Sequence, residues 1–175
     1  GMRYAQPSIE RALSALNEQE VTEVLLIPMY PQYTMSTTFS VIEKAKEVRD
    51  RLFPHIQLHV KEAFFDQKEY IEVLSSSIEE FWTDDMHLLL SYHGIPERHI
   101  RKTDPTKSHC KIDNKCCETP SEAHKFCYRH QCLRTSQELC KKLGLDENQW
   151  TMSFQSRLGR DPWLQPYTDK TLVNM

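Results

Sequence analysis

The sequence predicts an α/β protein built on parallel strands and carrying a cysteine-rich insert. Three observations lead there. Short apolar runs alternate with amphipathic stretches up to residue 91, which is the order of a parallel α/β sheet. Polar loops rich in tyrosine, histidine and proline follow two of the apolar runs, where ligands bind in such sheets. All six cysteines fall between Cys110 and Cys140.

Residues 8–17 place Ile9, Ala12, Leu13 and Leu16 on one face of a short helix. Residues 21–29 read as a buried strand. The hydroxyl residues of YPQYTMSTT then cap a helix over 38–52, with Ser36 or Thr37 as the expected cap, and Pro54 closes it. Residues 57–63 alternate as a strand. Asp66 and Glu69 form a cap pair for a helix running to about residue 82. The strand at 86–91 delivers Tyr92 and His93 at its end. The stretch 95–117 is polar and aperiodic. Thr119-Pro120-Ser121-Glu122 reads as a capping box that starts a helix reaching, with a break, to Leu143, where Gly144 suits the end. A last strand at 150–154 leads into QSRLGRDPWLQPYTD. Both ends of the chain read as the interior of something longer.

The 175 residues suffice for a real core, and the 39% hydrophobic and 27% charged content is that of a globular protein. A net charge of -3 speaks against a nucleic-acid surface. The longest apolar runs, 24–28 and 86–90, have strand length and fall far short of a membrane span. With no leader-like start, a cytoplasmic setting is expected, while peripheral membrane contact stays open.

His93 follows a strand and precedes Gly94 and Pro96, which shape a tight loop. An imidazole at that rim could take up a proton or bind a metal; the plainer reading is a loop histidine without a task. Trp163 and Tyr167 could cover a flat ligand, and Arg157 and Arg160 could pair with carboxylates. Tyr30 and Tyr33 flank an exposed Pro31-Gln32, which suits an aromatic ligand or merely a capping loop.

The segments RYAQPSI, PMYPQYTMSTT, SYHGIPERHIRK and SFQSRLGRDPWLQPYTD, in this order, resemble the successive signatures of the ferrochelatases. The resemblance covers the whole chain except the cysteine insert. It implies Rossmann-like, three-layer αβα lobes of the chelatase type with a porphyrin cleft between them. Residues 1–84 would be the later part of the first lobe and 85–175 the early part of the second. It implies insertion of Fe2+ into protoporphyrin IX, with coproporphyrin III, cobalt and a non-catalytic metal-binding module as alternatives. The usual first strand and the acidic catalytic segment would lie outside the chain, so the chain alone is expected to be inactive. His93 is then the active-site histidine, acting as pyrrole proton acceptor or as ligand to the substrate iron. Arg3, Tyr4, Tyr30, Thr34 and Trp163 would line the cleft. Phe39 stands where the family often has glycine, and Ala5-Gln6 replaces the commoner Gly-Asn.

The insert, HCKIDNKCCETPSEAHKFCYRHQC at 109–132, offers four thiols: Cys110, one of Cys116 and Cys117, Cys127 and Cys132. Spacing alone admits zinc or an iron–sulfur cluster, and His109, His124 and His130 leave mixed ligation open. Cys140, at helical spacing from Leu143, fits a buried thiol. Some ferrochelatases hold a 2Fe-2S cluster on four cysteines soon after the histidine motif, and the insert resembles theirs, within 108–132. That resemblance implies Cys110, Cys117, Cys127 and Cys132 as ligands, with Cys116 the alternate to Cys117. The arrangement that uses a first-lobe loop cysteine is excluded, because Met35 stands there.

Overall fold

A computed structural model describes residues 1–113 and 115–175. The chain divides into two compact units, Gly1–Phe64 and Phe65–Met175. Among the described residues the strands form two separate parallel pairs, so the α/β class with parallel strands holds. Among the described residues no helix is long and apolar enough to cross a membrane.

In the first unit, Ser8 accepts a hydrogen bond from the Arg11 amide and starts α1, Ile9–Asn17. Strand β1, Glu23–Leu26, pairs in parallel with β2, Gln57–Val60. Helix α2, Ser40–Leu52, lies between them in sequence. Ile9, Leu13, Ala45, Val48, Phe53 and Ile56 pack into the core, with Val24 and Leu26 against them. β1 is shorter than the apolar run of 21–29 and is not buried on both faces. Leu25, Ile27 and Met29 are exposed, because the pleat turns alternate side chains away from the helices. The cap of the following helix is also not the expected one. Thr34, rather than Ser36 or Thr37, accepts from the Thr37 amide at 3.1 Å and starts a wide π-type turn, Met35–Phe39, that runs into α2.

In the second unit, α3, Lys68–Glu79, packs on α5, Tyr128–Leu143. Asp66 does not cap α3: Gln67 holds the cap position without a side-chain bond. Strand β3, Leu88–His93, runs parallel to β4, Trp150–Gln155, in the register Leu88 to Trp150 through His93 to Gln155. The aperiodic stretch after His93 contains a helix, α4, Glu97–Thr103. At seven residues it is too short to display a hydrophobic period; only Ile100 is buried. The box at Thr119 also starts later than expected. Ser121 accepts from the Ala123 amide and caps a single 3-10 turn, Glu122–Lys125. Cys127 then holds the cap position of α5, and Gly144 ends it at φ 71°, a left-handed conformation that glycine adopts without steric cost. The chain closes with α6, Thr168–Asn174. The core of this unit is built from Ile95, Ile100, Ala123, Tyr128, Phe154 and Leu164 together with Cys110, Cys127 and Cys132.

Candidate functional site

His93 is the last residue of β3, and it is exposed. The loop after it is fixed by backbone pairing with the loop after β4. The Gly94 amide donates to the Gln155 carbonyl at 2.7 Å, the Leu164 amide to Ile95 at 3.0 Å and the Glu97 amide to Pro162 at 2.9 Å. Pro96 and Trp163 form an antiparallel bridge. Trp163 is tied down through its indole N–H, which donates to the Leu158 carbonyl at 2.9 Å. Gly94 is what permits this closeness. A Cβ there would meet the Gln155 oxygen at 2.8 Å and the Trp163 ring at 3.3 Å. The structure therefore brings His93 and Trp163 to one strand-end rim. Arg157 pairs with Asp169 at 2.9 Å and stacks 4.3 Å over the Tyr167 ring.

In the first unit, Arg3 and Tyr30 line an apolar hollow of about 630 Å³, together with Met2, Leu25, Ile27 and Met29. Tyr4 is 81% exposed, with the Arg3 guanidinium 4.7 Å over its ring. Thr34 is buried, and its hydroxyl lies 2.6 Å from that of Thr37 besides capping the turn.

All six cysteines are buried and none is in a disulfide. The Cys110 and Cys117 thiols each lie within hydrogen-bond reach of Cys127. Cys132, fully enclosed, feels the charge of Cys117. Burial, with the charge of Asp104 adding to it, pushes the Cys110 thiol up to about 11. The bond to Cys127 and burial push Cys117 up further, while the guanidinium of Arg129 opposes them, its Nη1 donating to the Cys117 sulfur at 3.3 Å. Burial alone lifts Cys140 to about 11, in keeping with a packed thiol. Cys116 faces another way: its thiol and amide both serve the Asp113 carboxylate. Among the described residues no group of three or more histidine, cysteine, aspartate or glutamate side chains is arranged to hold a single metal ion.

Several residues that shape the cysteine loop stand outside the motifs. The Asp104 carboxylate accepts from the Thr106, His109 and Cys110 amides, each at 2.9 Å, and from the Thr106 hydroxyl at 2.7 Å. Burial opposes its charge, yet these four donors hold the carboxyl down at about 2. Asp104-Pro105-Thr106 carries the signature of an Asx turn, so this one was legible. His109 and His124 direct Nε2 at the Cys116 carbonyl, at 2.8 and 2.9 Å, and His130 directs Nδ1 at the Cys117 carbonyl at 2.7 Å. His124 stacks on His130 with ring centroids 3.6 Å apart. The histidines thus hold the backbone of the cysteine pair. Tyr128, which no sequence signal marks, donates its hydroxyl proton to the His93 carbonyl at 2.9 Å.

The family model described as Ferrochelatase matches residues 1–175. The chain belongs to the ferrochelatase family. It is 44% identical over 172 residues to a ferrochelatase of Pseudomonas savastanoi pv. phaseolicola, covering 98% of this chain and 51% of that protein. It is 46% identical over 173 residues to one of Ectopseudomonas mendocina and 45% identical over 173 residues to one of Azotobacter vinelandii, with the same coverages. The chain therefore spans about half the length of the ferrochelatases it matches.

Proposed function

We propose that this chain carries the iron-insertion histidine of a ferrochelatase and acts, within the full-length protein, in forming protohaem from Fe2+ and protoporphyrin IX. The observation that carries the reading is the exposed His93 at the tip of β3, with Trp163 pressed against the glycine that follows it. In the reaction two pyrrole N–H protons leave as the iron enters the ring, so the products are protohaem and two protons. The His93 imidazole, as a neutral base, takes up a pyrrole proton or passes the substrate iron to the ring nitrogens. Trp163 offers a flat apolar wall of the kind a macrocycle packs on. Arg3, Tyr4, Tyr30 and Thr34 are assigned to porphyrin binding on the same reading. Of these, Arg3 and Tyr30 have the best support, since they share one apolar hollow. Thr34 contributes by shaping the turn that follows Tyr30 and Tyr33.

The lobe division near residue 84 belongs to this proposal. The compact units part earlier, at Phe64, because α3 packs on α5. Cys110, Cys117, Cys127 and Cys132 are assigned as ligands of a 2Fe-2S cluster. Four buried thiols, with Cys110 and Cys117 each reaching Cys127, suit it in number and chemistry. When bound, such a cluster supplies a covalent cross-link between the loop at Cys110 and helix α5. A reduced, cytoplasmic setting goes with this reading.

The test uses the full-length protein. His93→Ala should lower iron insertion by at least about a hundredfold, the typical share of acid–base catalysis, and leave porphyrin affinity within about threefold. Normal turnover in this variant would overturn the assignment. Parallel assays with coproporphyrin III, and with cobalt and zinc, decide the substrate pair.

A further inference from the structure

We propose that Arg160 is a specificity residue that takes a propionate carboxylate of the porphyrin at the strand-end rim. This deepens the reading above, in which Trp163 walls the macrocycle, and it rests on that reading.

Two segments meet at that rim, 94–98 and 156–163, and together they carry three arginines. Two of the three are engaged. Arg98 pairs with Asp161 at 2.9 Å, and Arg157 pairs with Asp169 at 2.9 Å while stacking on the Tyr167 ring. The other acid of these segments, Glu97, is held by Arg101 at 3.0 Å. Arg160 is exposed, and among the described residues no carboxylate or ring partners it. The loop that carries it is nevertheless fastened. The Trp163 indole closes residues 158–163 through the Leu158 carbonyl, and Gly159 turns the chain at φ 73°. On the far side Asp161 is tied to Arg98, and the Pro162 carbonyl accepts from the Glu97 amide at 2.9 Å. A guanidinium on a fastened loop has less freedom to lose on binding than one on a mobile arm. The same loop offers apolar surface, the Trp163 ring and the side chain of Leu158, which is 79% exposed. One loop thus joins a flat apolar wall to an unpaired cation. Protoporphyrin IX has the matching form, a flat apolar ring with its propionates along one edge. The planar guanidinium donates paired N–H bonds to a carboxylate, which an ester cannot receive with the same charge.

The experiment measures porphyrin affinity of the full-length protein by absorption titration, with protoporphyrin IX and its dimethyl ester as probes in the same detergent. Arg160→Gln should weaken binding of the free acid about three- to fivefold, as a solvent-open charge pair does, and leave the ester within about 1.5-fold of wild type. Arg160→Lys keeps the charge and should recover at least about half of the loss. Arg157→Gln removes a cation that Asp169 already neutralises, so the free-acid affinity should move less than about twofold. Salt at about 1 M should erase the difference between wild type and Arg160→Gln, because exposed charges are screened. Equal affinity of wild type and Arg160→Gln for the free acid overturns the proposal. An equal loss with acid and ester overturns it too, because Arg160 would then serve the fold or another part of the protein. Failure of the underlying reading looks different: wild type would bind neither probe, or Trp163→Ala would bind both as tightly as wild type.

Discussion

The hydroxyl of Tyr128 donates to the main-chain carbonyl of His93 across 2.9 Å. These residues lie 35 positions apart, one at the start of the helix that follows the cysteine loop and the other at the end of β3. The cysteine-rich segment is therefore part of the packing that supports the histidine, rather than an appendage. Cys110, Cys127 and Cys132 sit in the same core as Phe154 and Leu164, which belong to β4 and the loop after it.

The close approach at Gly94 predicts a costly substitution. Alanine would push its Cβ to 2.8 Å from a backbone oxygen, which cannot swing aside as a side chain would. Gly94→Ala should lower stability by about 1–3 kcal/mol, the usual range for overpacking, and reduce turnover more than porphyrin affinity. Thermal unfolding and steady-state kinetics check this. A variant as stable and active as the parent would show that the two loops are not locked together there.

Asp104 predicts how the cysteine loop responds to acid. Its folded carboxyl titrates near 2, below the roughly 3.9 of an open chain. Its contribution to stability is therefore complete above about pH 4 and is lost as pH falls through about 2. Asp104→Asn should cost about 1–3 kcal/mol through weakened bonds to the Thr106, His109 and Cys110 amides. It should also abolish the portion of acid sensitivity due to this group. Unfolding measured between pH 2 and pH 6 tests both points, and an unchanged acid profile would assign the sensitivity elsewhere.

The neighbouring cysteines should behave oppositely. Cys117 reaches Cys127 and receives a bond from Arg129, whereas the Cys116 thiol is engaged with Asp113. Cys116→Ser should retain charge-transfer absorption with equal iron and sulfide, and Cys117→Ser should lose at least about nine-tenths of it. The reverse pattern would make Cys116 the ligand. Colourless wild-type protein with stoichiometric zinc would replace the cluster altogether.

Much of the architecture was legible because its signals are local. The helix at Ser8, the strand ending at His93 and the glycine stop at Gly144 each follow from a cap, a run or a left-handed residue within a few positions. The misses share a cause as well. Asp66 has the chemistry of a cap but not the position, and α4 is too short to show a period. Thr34 caps where its neighbours also could, since several hydroxyls in a row leave the choice to the turn geometry.

By itself the amino-acid order determined the α/β class, the four motifs that place the chain among the ferrochelatases, and the concentration of thiols after the histidine. Only the folded chain decided which groups face each other across long separations. Tyr128 under His93, Arg129 on Cys117 and Trp163 on Gly94 depend on how two strand-end loops and one helix pack. Contacts of that kind arise from the summed burial of a whole core, and no short window of sequence contains that sum.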